Sequence, residues 1–315
     1  TVDISFNNLT AIPREVMEAR YISSLNISNN EITELSDKMT QLIRLRTLNI
    51  QNNSLEKISE AISLLDGLQI WNLNNNNLTT LPVGIGEMTN LQVLEVNNNQ
   101  LTSAPKSLER LKSIEKLDFS NNNLTTLGFN IERLTSLKHL DLSRTNLTEF
   151  IALKITSLKK LQHLNLSHNQ GLKWDSLMVS ISELSALQTL NLAYNGINKI
   201  PDSIVKCTRL KDLNFSGNEG IADEKFWVNL SQLPDLKSID LTEVGLETIG
   251  NKIQECKKLE YLNLDRNKIK HMPDSISCLA NLKCLSLNHT ALKTIPDSIS
   301  LLKNLETLSL AYCID

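Results

Sequence analysis

The chain repeats itself at a period of about 23 residues from one end to the other, and this constrains its fold more than any other feature. Leu91 to Leu101 reads L-Q-V-L-E-V-N-N-N-Q-L, and Leu259 to Ile269 reads L-E-Y-L-N-L-D-R-N-K-I. Both fit LxxLxLxxNxL. With the first apolar residue as position 1, repeats begin at Ile22, Leu45, Leu68, Leu91, Ile114, Leu137, Leu161, Leu187, Leu210, Leu236, Leu259, Leu282 and Leu305, after one clipped repeat. That makes twelve complete repeats and two partial ones, nine of the twelve sharing one length. A segment so short cannot bury its own apolar face, so neighbours must stack into one continuous core.

Within each repeat the apolar positions 4 and 6 alternate with polar 3, 5 and 7, which is the period of a short strand with one buried face. Successive strands are expected to stack as a parallel sheet. Positions 1, 4, 6 and 11, with apolar residues of the second half, then fill the core. Position 9 is Asn in most repeats, from Asn7 and Asn30 to Asn267. An amide there can satisfy backbone groups exposed as the chain leaves the strand. Thr145, Val244, Thr290 and Cys313 depart from it; threonine keeps part of the bonding and valine none. Proline at position 15 (Pro13, Pro82, Pro105, Pro201, Pro273, Pro296) marks the start of the outer segment. The repeats that begin at Leu161 and Leu210 are longer than their neighbours, and each carries an extra residue near Gly171 or Gly220. Their outer segments, Asp175 to Leu184 and Asp223 to Leu233, are long enough for true helices. These repeats either thicken the array locally or reflect neutral insertion.

The repeats resemble the leucine-rich-repeat family over essentially the whole chain. In their second half, Leu81-Pro82-(x)2-Ile85-(x)2-Met88 and Ile295-Pro296-(x)2-Ile299-(x)2-Leu302 follow LPxxIxxL. That spacing is similar to the intracellular class of the same period, found in Ras-pathway scaffolds, Ras-suppressor proteins and many bacterial proteins. The resemblance implies an α/β leucine-rich-repeat solenoid, a horseshoe with a concave parallel β-sheet and short helical or extended convex segments. Residues 1–315 form one array of about 14 repeats. The implied function is that of a non-catalytic protein–protein interaction module, a scaffold or recognition array binding on its concave face. Two alternatives stay open: a targeting or regulatory segment of a larger multidomain enzyme or signalling protein, and a bacterial surface or secreted host-binding protein.

Composition narrows the partner. The apolar content is 41% but only 4% is aromatic, as expected of near-identical aliphatic layers. A net charge of −3 and no run of Lys or Arg give no footprint for nucleic acid. No apolar stretch approaches the roughly 20 residues of a membrane-spanning helix. A protein partner is therefore expected, with no membrane insertion and an undefined oligomeric state. Five cysteines, odd in number and unclustered, favour a reducing, cytoplasmic setting. Cys207, Cys256 and Cys278 are expected as small core side chains. The chain carries no HExxH, GxSxG, phosphate-binding glycine loop or CxxC, so no catalytic residue and no cofactor is expected. His139 and His163 share position 3 on neighbouring strands near Asp141, but two imidazoles are too few for a metal, and no metal site is expected. The Asn-x-Ser/Thr sequons at Asn77 and Asn123 follow from the repeat pattern, and those at Asn26, Asn165 and Asn214 would place glycans on the concave strands, which argues against glycosylation.

Positions 3, 5, 7 and 8 face solvent and form the surface to search. Its early part is asparagine-rich, with Ile70 and Val93 as small apolar spots. In repeats six to eight it changes to His139, Asp141, Arg144, His163, His168 and Tyr194. Aromatic and arginine side chains are the anchors of protein interfaces, so these residues are the first candidates for partner binding. Tyr261, Arg266 and His289 form a second group, with Asp265 and Tyr312 beside them. The alternative is that exposed positions accept any polar residue. Since Val2 to Phe6 already has strand pattern and the last repeat stops at Asp315, capping repeats or neighbouring domains are expected on both sides.

Overall fold

In the computed structural model, residues 1–148, 155–221 and 224–313 are described. They form two compact units, Thr1–Leu161 and Gln162–Asp315. Among the described residues the first unit has seven strands: β1 (Val2–Asp3), β2 (Ser24–Asn26), β3 (Thr47–Asn49), β4 (Ile70–Asn72), β5 (Val93–Glu95), β6 (Lys116–Asp118) and β7 (His139–Asp141). The second has β8 (His163–Asn165), β9 (Thr189–Asn191), β10 (Asp212–Asn214), β11 (Ser238–Asp240), β12 (Tyr261–Asn263), β13 (Cys284–Ser286) and β14 (Thr307–Ser309). In each unit the strands pair in parallel and in chain order. Equivalent positions face each other, Leu48 against Trp71 and Leu262 against Leu285.

This is a repeat solenoid, and its layers follow the expected positions. Leu25, Ile27, Leu94, Val96, Leu190 and Leu192, at positions 4 and 6, are all fully buried. The strands are very short, spanning positions 3 to 5, and the position-5 side chain shows why. In most repeats its oxygen accepts the N–H of position 7, as from Ser28 to Asn26 (3.2 Å) and from Ser216 to Asn214 (2.9 Å). This local turn withdraws the position-7 N–H from strand pairing and bends the chain inward.

The buried amides then do what position 9 requires. Asn122 Nδ2 donates to the carbonyls of Val96, Phe119 and Ser120 at 2.9, 2.9 and 3.2 Å, and its Oδ1 accepts from Leu101 N at 2.9 Å. The position-6 carbonyls of Ile27, Ile50, Leu73, Val96, Leu166 and Leu192 thereby accept two amides, one from their own repeat and one from the next; Val96 O takes Asn99 and Asn122. Thr145 and Thr290 keep one of these bonds, to Leu142 O (2.7 Å) and Leu287 O (2.8 Å). Val244 supplies none, but its own carbonyl accepts from Gly220 N at 3.1 Å.

The outer segments are mostly single 3-10 turns, such as Val83–Glu87, Lys106–Arg110 and Asp202–Lys206. Pro82, Pro105, Pro201, Pro273 and Pro296 stand one residue before these turns, with extended ψ near 136 to 150°. Helix α1 (Arg14–Glu18) is a comparable short turn. The two longer repeats carry true helices, α2 (Trp174–Ile181) and α3 (Glu224–Ser231). Asp175 lies in the first turn of α2 as expected; Asp223 lies outside the described residues, as does Asp315. In α3, Phe226 and Trp227 are buried, their rings 5.1 Å apart and perpendicular.

One cysteine assignment is corrected. Cys207 and Cys256 are core side chains, 1% and 7% exposed, but Cys278 is exposed. In Met272-Pro273-(x)2-Ile276-(x)2-Leu279 the last core seat belongs to Leu279, which is fully buried, so Cys278 stands one residue too early and points out.

Candidate functional site

Position 8, the residue after the strand-ending turn, has a property that the pattern of apolar residues does not reveal. It is left-handed in every repeat from Phe6 to Tyr312, with φ between +52° and +66°. The chain must reverse there so that the amide at position 9 can point inward. Asparagine and glycine tolerate this geometry; it costs other L residues roughly 1–2 kcal/mol. In the first unit Asn29, Asn52, Asn75, Asn98 and Asn121 fill the position. Asn52 Nδ2 donates to Asn29 Oδ1 at 2.8 Å and Asn75 Nδ2 to Asn52 Oδ1 at 2.6 Å, so the first three form a hydrogen-bonded row.

From Arg144 onward the asparagines are gone. His168, Tyr194, Gly217, Glu243, Arg266, His289 and Tyr312 follow in the second unit, all with positive φ. Backbone strain concentrated on one edge is a reason to look for function there. These side chains also engage one another. The rings of His168 and Tyr194 stack with centroids 4.6 Å apart and 12° from parallel. The Tyr194 ring lies over Gly217, where a β-carbon would sit 2.2 Å from its Cδ1. Beyond the glycine, Tyr194 Oη donates to Glu243 Oε2 at 3.2 Å. Burial, with the Glu243 carboxylate adding to it, raises the Tyr194 phenol above its usual pKa. His289 and Tyr312 repeat the stack at 4.6 Å and 8°.

The candidate residues divide accordingly. In the first unit His139 and Asp141 lie half-buried on β7 and Arg144 is exposed at position 8. Asp141 Oδ1 accepts from Ser143 N (2.9 Å) and Ser143 Oγ (2.7 Å), so it holds the turn that ends its strand. In the second unit His163 is half-buried on β8, and Tyr261 on β12 is 48% exposed. His168 and Tyr194 are brought together, and Arg266 and His289 occupy position 8. Glu243 and Gly217 were not singled out from sequence; their signal is the shared position, and in Gly217 a glycine where neighbours have side chains. Among the described residues no group of three or more His, Cys, Asp or Glu side chains is placed to hold a metal ion. No described helix is long and apolar enough to cross a membrane.

The family description "Leucine-rich repeat region" matches residues 36–149, and "Leucine rich repeat" matches 234–292 and 257–313. Further leucine-rich-repeat descriptions match 186–207 and 157–173. None of the curated proteins matches this chain. Among solved structures, a leucine-rich-repeat protein of Leptospira interrogans is similar at 28% identity and TM-score 0.78, over 97% of this chain and 82% of that one. An internalin of Listeria monocytogenes shares the fold at 24% identity and TM-score 0.79, over 95% and 83% of the two chains. A second Listeria monocytogenes internalin domain, whose description includes a cysteine ladder, shares it at 22% identity and TM-score 0.70, over 96% and 66%. With its stacked parallel strands, its row of buried amides and these matches, the chain belongs to the leucine-rich-repeat family.

Proposed function

We propose that this chain is a non-catalytic interaction array that binds a protein partner on the strand-bearing face, with the His168–Tyr194 stack as an anchor in the second unit. The leucine-rich-repeat fold is typical of protein-interaction modules, and one observation carries the finer reading. Position 8 gives up its low-strain asparagines for a histidine and a tyrosine held against each other in left-handed backbone. Stacked aromatic side chains present large, rigid contact area with little entropy left to lose, which is what an interface anchor needs. Arg144 of the first unit, exposed in the same backbone conformation, is a second anchor. Cytoplasmic residence belongs to the same proposal and is supported by Cys207 and Cys256 serving as buried core side chains.

The test is photo-crosslinking in the native cell, with benzoylphenylalanine replacing Tyr194 on this face or Val179, 49% exposed on the outer helix α2. Adducts with a protein from position 194 alone are expected. Tyr194→Ala and Arg144→Ala should each weaken binding of that protein by about 1–3 kcal/mol, Arg144→Ala without lowering stability. Adducts from position 179 alone would place the binding surface on the outer side and overturn the reading.

A further inference from the structure

Basic side chains of the second unit stand at both ends of its strands. Where the chain enters the strands several of them are paired. Glu260 lies between Lys237 (2.6 Å) and Lys283 (2.7 Å), and Lys258 meets Asp235 at 3.2 Å. Where the chain leaves β12 and β13, Arg266, Lys268, Lys270 and Lys293 are all exposed. Among the described residues none of these four has a carboxylate within ion-pair distance, as the pairs of this unit all lie elsewhere.

A hollow of about 520 Å³ opens at this place, lined by Lys268, Lys270, His289, Thr290 and Tyr312, with Glu247 on its wall. The stacked His289 and Tyr312 rings form its aromatic side. We propose that this hollow is a docking site for an acidic peptide segment of a protein partner, its carboxylates met by Lys268 and Lys270 and an apolar side chain laid on the His289–Tyr312 stack. The proposal rests on the protein-interaction reading but uses a different place from the His168–Tyr194 stack.

Charge complementarity selects the occupant. An exposed lysine without a partner gains from a carboxylate that arrives with the ligand, whereas a paired one must first give up its own. A nucleic acid fits less well: the basic track is only four side chains long, Glu247 stands beside it, and the whole chain carries −3. A peptide also supplies what the aromatic side calls for, an aliphatic or flat side chain among its acids.

The experiment measures fluorescence anisotropy of a fluorescein-labelled decapeptide of alternating Glu and Leu on the full chain, at low and at physiological salt. A Lys–Leu decapeptide and a ten-nucleotide single-stranded DNA serve as competing probes. The Glu–Leu peptide should bind, more weakly at higher salt, and Lys268→Glu with Lys270→Glu should weaken it at least tenfold. Tyr312→Ala should weaken it several-fold, and Lys257→Glu at the other end of the strands should leave it unchanged. Glu247→Gln should tighten it, a gain that misfolding cannot produce. Three results would overturn the proposal: no binding of the Glu–Leu peptide, binding indifferent to Lys268 and Lys270, or DNA binding at least as tight through the same lysines. Peptide binding lost in His168→Ala with Tyr194→Ala but kept in the lysine variant would sink this site and leave the interaction-array reading standing.

Discussion

The imidazole of His168 lies on the phenol of Tyr194, centroids 4.6 Å apart, and the same phenol covers the Cα of Gly217 and reaches Glu243 at 3.2 Å. Four consecutive repeats are thus brought together outside the core, by residues that all occupy position 8.

Gly217 makes this possible, so Gly217→Ala should undo it. The new methyl would sit 2.2 Å from Tyr194 Cδ1, on backbone at φ +66° that disfavours any L residue. A loss of roughly 1–3 kcal/mol is expected from the strain and the displaced ring together. Thermal or denaturant unfolding measures it, and loss of the Tyr194–Glu243 bond should bring the phenol back toward its usual pKa in a spectrophotometric titration. An unchanged titration would show that the ring does not depend on the glycine.

The amide row predicts opposite signs for two substitutions. Asn122→Leu removes bonds to three carbonyls and one N–H; Val96 O keeps Asn99 and Ser120 O keeps the N–H of Asn98, but Phe119 O and Leu101 N lose the amide in the core, a loss of about 1–3 kcal/mol. Val244→Asn places an amide where the carbonyls of Phe215 and Leu241 each accept one side-chain amide instead of the two taken by Val96 O. It should be neutral or stabilising. Equal melting shifts for the two variants would contradict the argument.

Glu260 predicts a pH dependence. Hydrogen bonds from Lys237 and Lys283 hold its carboxyl at about 2, down from 4.5. A carboxyl depressed in the folded state contributes stability that is present above the unfolded value and lost as pH falls through the folded one. The melting temperature of the unmodified chain should therefore exceed that of Glu260→Gln at pH 7, and the gap should close as pH falls from 4.5 toward 2. A gap independent of pH would mean that the charge is not its source.

Thiol chemistry separates the cysteines. Burial pushes the thiols of Cys207 and Cys256 up to about 12, whereas Cys278 is exposed. Cys278 should react promptly with a thiol-specific reagent at pH 8, and Cys207 and Cys256 only on unfolding. Mass spectrometry of labelled peptides gives the order, and early labelling at Cys207 would contradict its place in the core.

Most of the architecture was legible in the sequence because it depends on period. Leu at positions 1, 4 and 6 recurs at a spacing that only stacked repeats can bury, and Asn122 could be placed in the core as an amide that feeds backbone carbonyls. The extended outer segments of the two longer repeats announced α2 and α3 by length alone. Register was harder: Cys278 and Leu279 are both apolar neighbours, and only the packed turn shows which of them fills the seat.

The sequence by itself determined the repeat, the parallel strands, the buried rows and the position where side chains depart from asparagine. Only the tertiary structure decided that this position is left-handed, that His168 and Tyr194, a whole repeat apart along the chain, stack face to face, and that Tyr194 meets Glu243 across Gly217. Strand and core positions follow from local alternation of apolar and polar residues, which any single repeat displays. Contacts along the edge depend on how far one repeat lies from the next and on which side chain leaves room for its neighbour, and those distances exist only once the repeats are stacked.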